Sequence, residues 1–168
     1  MLADQAPSGG PQIVLADSAL GEVPTDPDRL LMAACYPGCP PEALFDHWTI
    51  PALLTRWWPQ VAETDPRPGG TYHLAWPLPD WHLRGAYMVV EPGATLAFTW
   101  RWDHEPADMP TRRVVVTFEP LPGGGTRLFV AHGRYGASAA EADARAGHLA
   151  GWTHFLARLR ELTCARAA

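Results

Sequence analysis

Two histidines are the groups in this 168-residue chain best suited to proton transfer in an apolar setting. His132 ends a run in which Leu128, Val130 and His132 share one strand phase. His148 opens a helical stripe shared with Leu149, Trp152, Phe155, Leu156 and Leu159. Histidine changes charge near neutral pH and is the usual general acid or base. A pair facing one cavity would serve acid–base chemistry or ligand orientation, whereas a lone histidine on such a face is more often a satisfied core residue. The aromatic residues are the second resource. The chain has eight Trp, and each joins a large apolar area to one N–H donor. Tyr72, Trp76, Trp100, Trp102 and Trp152 have the types for a cage round a flat or cationic ligand. Core packing competes for the same residues.

Other chemistry is poorly provided for. Gly-x-Ser-x-Gly and His-Glu-x-x-His are both absent, which removes the common serine-hydrolase and zinc-protease signatures. Gly123 to Gly125 precedes a strand rather than a helix, so it reads as a turn and not a phosphate cradle. Glu91 and Glu119 fall at strand ends and do not form a facing pair. Cys35 and Cys39 flank Tyr36-Pro37-Gly38 without zinc-knuckle spacing, and their pairing is open. No metal and no cofactor is expected. With Cys164 the cysteine count is odd, which fits a reducing cytoplasm. The net charge of −5 and the lack of a basic cluster argue against nucleic acid. The longest apolar run near the N-terminus is Ile13 to Ala16, too short for a signal peptide or membrane insertion.

The elements that must position these groups follow from periodicity. Met1 to Pro11 reads as a loose tail, Gln12 to Leu20 as a possible edge strand and Gly21 to Asp28 as linker. Arg29 to Tyr36 is an apolar run bounded by prolines, hence a buried strand. Pro40-Pro41-Glu42 opens a short helix whose apolar face holds Ala43, Leu44, Phe45 and Trp48. Thr49 is placed to cap a second short helix carrying Leu53, Leu54, Trp57 and Trp58, which Pro59 stops. Adjacent helical positions diverge by about 100°, so one of Trp57 and Trp58 is expected inward and the other at the surface. From Val61 the period becomes two. Runs at 71–76, 81–91, 95–102, 113–119 and 126–132 alternate apolar and polar residues between turns, which describes an antiparallel meander with one buried face. From Ser138 the period is helical again. Ser138 followed by Glu141 is a capping-box signature, and the closing helix spans about seven turns.

A curled sheet and a straight amphipathic helix must pack together and cannot fill the space between them everywhere. The residues Phe45 to Pro59, Gly69-Gly70-Thr71-Tyr72, Gly85 with Glu91-Pro92, Leu96 to Trp100, Gly125 to Leu128 with His132, and Gly151-Trp152 occur in an order that resembles the AHSA-type branch of the SRPBCC superfamily. That branch is named for activators of the Hsp90 ATPase; the superfamily also holds START-like lipid-transfer domains and polyketide cyclases. The resemblance covers roughly Asp28 to Leu162. It implies an α+β helix-grip fold: a curved antiparallel sheet of about six strands wrapped round a long C-terminal helix, with two short helices after the first strand. Residues 1–27 are then an N-terminal extension, partly flexible, and 28–166 a single domain. No shared catalytic set carries over.

The first functional reading is a cytoplasmic small-molecule binding protein, monomeric or homodimeric. It would hold a small hydrophobic or aromatic ligand in a cavity between sheet and helix. The residues expected to contact that ligand are Trp57, Tyr72, Leu74, Trp76, Tyr87, Phe98, Trp100, Val116, His132, His148, Trp152 and Phe155. The second reading is a cofactor-independent cyclase, dehydratase or isomerase using His132 or His148 to move protons. The third is a chaperone-associated interaction module engaged through Trp58 or an acidic surface.

Overall fold

The computed structural model describes residues 19–164. The tail Met1 to Pro11 and nearly all of Gln12 to Leu20 lie outside the described residues. A three-residue strand β1 (Leu20–Glu22) and the long β2 (Arg29–Pro37) come first. Two short helices follow, α1 (Pro41–Thr49) and α2 (Pro51–Leu54). Six strands come next: β3 (Val61–Thr64), β4 (Thr71–Trp76), β5 (Trp81–Glu91), β6 (Thr95–Trp102), β7 (Arg112–Pro120) and β8 (Gly125–Gly133). The chain closes with α3 (Ala139–Cys164).

The prolines act as expected at both short helices. Each occupies a first-turn position, where its missing N–H is no loss. Ser138 Oγ accepts the Glu141 N–H at 3.2 Å and caps α3. The Glu141 carboxylate does not complete a capping box. It accepts the Gly136 N–H at 2.8 Å and pairs with the Arg112 guanidinium. Thr49 does not cap α2: Ile50 holds that position, and the Thr49 hydroxyl donates to Phe45 O at 3.3 Å within α1.

All strands pair antiparallel in one eight-stranded sheet of order β1-β2-β8-β7-β6-β5-β4-β3. The hairpins from β3 to β8 form the meander, and the return of β2 beside β8 completes the curve. A bulge between Tyr87 and Val89 bends β5. The concave face takes α3 in the helix-grip manner. Trp152, Leu156 and Leu159 are buried from the helix side, against Leu30, Met32, Val114, Val116, Leu128 and Val130 from the sheet. Burying such residues drives the packing at roughly 25 cal/mol per Å² of apolar area. Polar ties fix the register of α3 on the sheet edge. Tyr36 OH donates to Leu156 O at 3.1 Å, Arg145 Nε donates to Arg29 O at 3.0 Å, and Arg145 pairs with Glu22.

The sheet exceeds the expected six strands because two short strands carry little sequence signal. One is β3. The other, β1, starts on the last residue of the possible edge strand, Leu20, and runs into the stretch read as linker, where pairing with Met32 to Ala34 and the Glu22–Arg145 ion pair order the backbone. The two tryptophans at 57 and 58 also depart from expectation, since both are buried. The helical-angle argument fails because α2 ends at Leu54, so the pair sits in a turn. Their rings stack at 5.4 Å and both enter the core.

Candidate functional site

Where β4, β5 and β6 curve away from α3, the space is not filled. A cavity of about 230 Å³ lies there, lined by Trp58, Trp76, Pro79, Trp81, Trp100, Trp102, Gly147, His148, Gly151, Trp152 and Phe155. The exposed Pro79, Trp81 and Gly147 put its mouth between the β4–β5 turn and α3. Two helix glycines explain part of the gap. Gly147 and Gly151 are one turn apart, and a Cβ added at either would meet nothing within 4 Å. Glycine inside a helix costs about 1 kcal/mol relative to alanine. Here it leaves open the space that side chains would fill.

The walls are rigid because the rings brace one another. Trp58 stacks on Trp100 at 5.8 Å and lies 5.1 Å from Trp152. Trp102 meets Trp76 at 5.5 Å, Trp81 at 5.9 Å and Trp100 at 5.6 Å. Behind this aromatic wall runs a buried polar chain. Trp152 Nε1–H donates to His132 Nδ1 at 3.1 Å. The His132 and His148 rings stack at 4.3 Å, inclined by 20°. His148 Nδ1 lies 2.8 Å from Tyr135 OH. The Arg112 guanidinium sits 4.9 Å over the Tyr135 ring, pairs with Glu141, and approaches Glu105 at 3.7 Å.

This environment sets the charge of both histidines. Burial, the nearby Arg112 and the Glu141 carboxylate act on His148, the last weakly in opposition, and its pKa falls to about 4. Burial, then His148, then Arg112 hold His132 well below the usual imidazole range. Both rings are neutral at pH 7. Burial raises the Tyr135 phenol well above its ordinary value, so it keeps its proton.

The residues expected at a site separate into two groups. Trp76, Trp100, His148, Trp152 and Phe155 line the cavity. His132 is buried behind it, in contact with the lining residues Trp100, Trp152 and His148. Trp57 is fully buried, donating to His47 O at 2.8 Å, and Val116 lies in the core under the sheet. Tyr72, Leu74, Tyr87 and Phe98 pack round a separate gap of about 10 Å³, room for one water at most. Tyr72 is held there by a 2.6 Å hydrogen bond to Thr99 O. Their inward strand phase is correct, but the sheet meets its cover closely at that end. Trp58 lines the cavity and is buried, so it offers no surface for a partner to engage.

Several functional groups escaped the sequence reading. Arg112 stands two residues before Val114 on the inward phase of β7, so extending the alternation by one step would have found it. Gly147 and Gly151 flank His148 at helical spacing, a signal that the helix forgoes side chains on that face. Tyr135 lies in a loop, where nothing local marks it. His73 and Arg101 are half-buried on the outer strand phase, His73 bonding to His82 at 2.8 Å and Arg101 donating to Met109 O. Cys35, Cys39 and Cys164 are free thiols. Among the described residues no helix is long and apolar enough to cross a membrane.

The curved sheet, the gripped helix and the cavity between them define a helix-grip domain. The family model described as Activator of Hsp90 ATPase homolog 1-like protein matches residues 38–163, and the chain belongs to that family. No curated protein matches it by sequence. Protein MLL2253 from Mesorhizobium loti is similar in structure at a TM-score of 0.72 and 25% identity, over 83% of this chain and 98% of that one. DynU16, from the dynemicin biosynthetic locus, aligns at a TM-score of 0.65 and 20% identity, over 80% of this chain and 46% of that one. The Aha1 dimer from Colwellia psychrerythraea aligns at 0.64 and 14%, over 79% and 93% respectively. At these last two identities the likeness is one of fold.

Proposed function

We propose that the chain is a cytoplasmic binding protein for a small, flat, apolar or aromatic molecule, held between the sheet and α3. The observation that carries this reading is the aromatic cavity of about 230 Å³ kept open by Gly147 and Gly151. An apolar cavity of about 150 Å³ is enough to hold benzene, so this one suits two fused rings. Affinity would come from apolar burial between braced indoles, which lose little freedom on binding. The neutral state of His148 suits the same purpose, because no charge opposes the entry of an apolar ring.

Calorimetric titration with naphthalene tests the reading. One-to-one saturable binding is expected in the wild type, with loss of binding in Gly151→Leu. That leucine grows into open space and adds helix propensity, so the variant should fold at least as stably. Absence of saturable binding to the wild type, or unchanged binding to Gly151→Leu, would defeat the proposal.

The stacked His132–His148 pair with Tyr135 favours one second reading, a cofactor-independent cyclase, dehydratase or isomerase. The biosynthetic-locus setting of DynU16 is compatible with it at the level of fold. Against it, an imidazole with a pKa near 4 is a weak base at neutral pH. Turnover of an aromatic or polyketide-like substrate that is lost in His148→Gln would favour this reading over simple binding.

A further inference from the structure

Every side chain that brings a polar atom to the cavity belongs to one of two types, indole or imidazole. Six lining residues are tryptophans and one is His148. An indole N–H is only a donor, whereas a neutral imidazole offers one donor and one acceptor nitrogen. The character of the whole lining therefore depends on which His148 nitrogen carries the proton.

Tyr135 decides this. Its hydroxyl is 2.8 Å from His148 Nδ1 and has no other hydrogen-bond partner among the described residues. A buried phenol that keeps its proton must place it on an acceptor. The hydroxyl therefore donates to Nδ1, and the proton of His148 resides on Nε2. The neighbouring histidine is fixed the same way, since Trp152 Nε1–H donates to His132 Nδ1. That bond also occupies the Trp152 donor. His148 lines the cavity, and its Nε2 has no partner among the described residues. The Trp100 indole N–H is also without a partner, but it is closed off inside the wall and does not open on the cavity. Among the described residues the lining thus holds the His148 donor and indole donors and no side-chain acceptor.

We infer that the ligand carries a hydrogen-bond acceptor, a ring nitrogen or a carbonyl or ether oxygen, that receives the His148 Nε2–H, and that flat ligands with only a donor are rejected. A donor placed against Nε2–H would leave two buried hydrogens opposed and both unsatisfied. Tyr135 is the positioning residue: it acts through His148 by fixing the tautomer. The inference rests on the proposed binding function and names its ligand class.

Three probes of similar size separate the possibilities: quinoline with an acceptor nitrogen, indole with a donor, and naphthalene with neither. Calorimetry at pH 7.5 should show quinoline bound about tenfold more tightly than indole, the scale of one net hydrogen bond. In His148→Leu the preference for quinoline over indole should vanish. Long-range ¹H–¹⁵N spectra of the wild type should show His148 as the Nε2–H tautomer, a readout independent of any ligand or variant. Indole equalling or exceeding quinoline, a preference that survives in His148→Leu, or an Nδ1–H tautomer would each overturn the inference. Naphthalene binding without acceptor preference would overturn it and leave the binding function standing. Failure of all three probes to bind would overturn both.

Discussion

Acid should weaken this fold through His148 as the pH falls below 6.5. The imidazole sits against Trp100 of β6, His132 of β8, Tyr135 of the following loop, Arg112 of β7 and Glu141 of its own helix. Its ordinary pKa is 6.5 and its value in the fold is about 4. The unfolded chain therefore binds a proton between those values that the folded chain refuses. Stability from this group is complete above pH 6.5 and is lost as pH falls towards 4. The gap of about 2.5 pH units, at 1.36 kcal/mol each, gives a loss of about 3 kcal/mol. His132 is displaced in the same direction and adds to the loss. Glu141 behaves oppositely. The Gly136 N–H, with Arg112, lowers its pKa against the pull of burial, so its contribution persists above pH 4.5 and fails only below. Urea unfolding at intervals from pH 7.5 to 4.5 measures the effect. Over that range about 2.5 kcal/mol of the loss is realised, so with a slope near 2 kcal/mol per molar the wild-type midpoint should fall by about 1.2 M more than that of His148→Gln. His148 also acts on His132 and Glu141, so the difference reports His148 together with its coupling to those two groups. Parallel pH profiles for the two proteins would refute the claim that the fold holds this imidazole neutral.

Three further outcomes follow from the packing. Arg112→Met should destabilise by about 3–5 kcal/mol in urea unfolding, because it strands the buried Glu141 carboxylate, and adding Glu141→Gln should restore part of the loss. Gly85→Ala should fail to fold or lose several kcal/mol by thermal unfolding, since its Cβ would lie 2.0 Å from the Thr99 carbonyl oxygen, a backbone atom that β-pairing holds in place. Gly147→Ala should raise the unfolding free energy by about 1 kcal/mol, since its Cβ meets nothing and alanine favours the helix.

The fold was legible because its periodicities are long and one-sided. Strands such as β6 alternate over eight residues, and the second half of α3 buries Trp152, Leu156 and Leu159 at helical spacing. Short elements were not legible. The strand β1 has three residues and exists through its pairing with β2 and the Glu22–Arg145 ion pair, neither of which is local. The site was half legible for a related reason. Strand phase tells which side chains point under the sheet, so Trp76 and Trp100 were found, but so were Tyr72 and Phe98. What separates a packed end from an open one is the distance between sheet and helix, set by the curl of the sheet and by two glycines on α3. The polar chain from Arg112 through Tyr135 to His148 joins a strand, a loop and a helix, and only the tertiary fold brings it together.

The proposed binding would seat flat aromatic molecules in the cavity walled by six of the chain's eight tryptophans. The indole N–H resonances of ¹⁵N-labelled protein report on it directly during a quinoline titration. Saturable shifts are expected for Trp58, Trp76, Trp100, Trp102 and Trp152, with Trp57 unmoved because its N–H is tied to His47 O at 2.8 Å in the core. Shifts confined to the exposed Trp81, or no saturable shift at all, would contradict it.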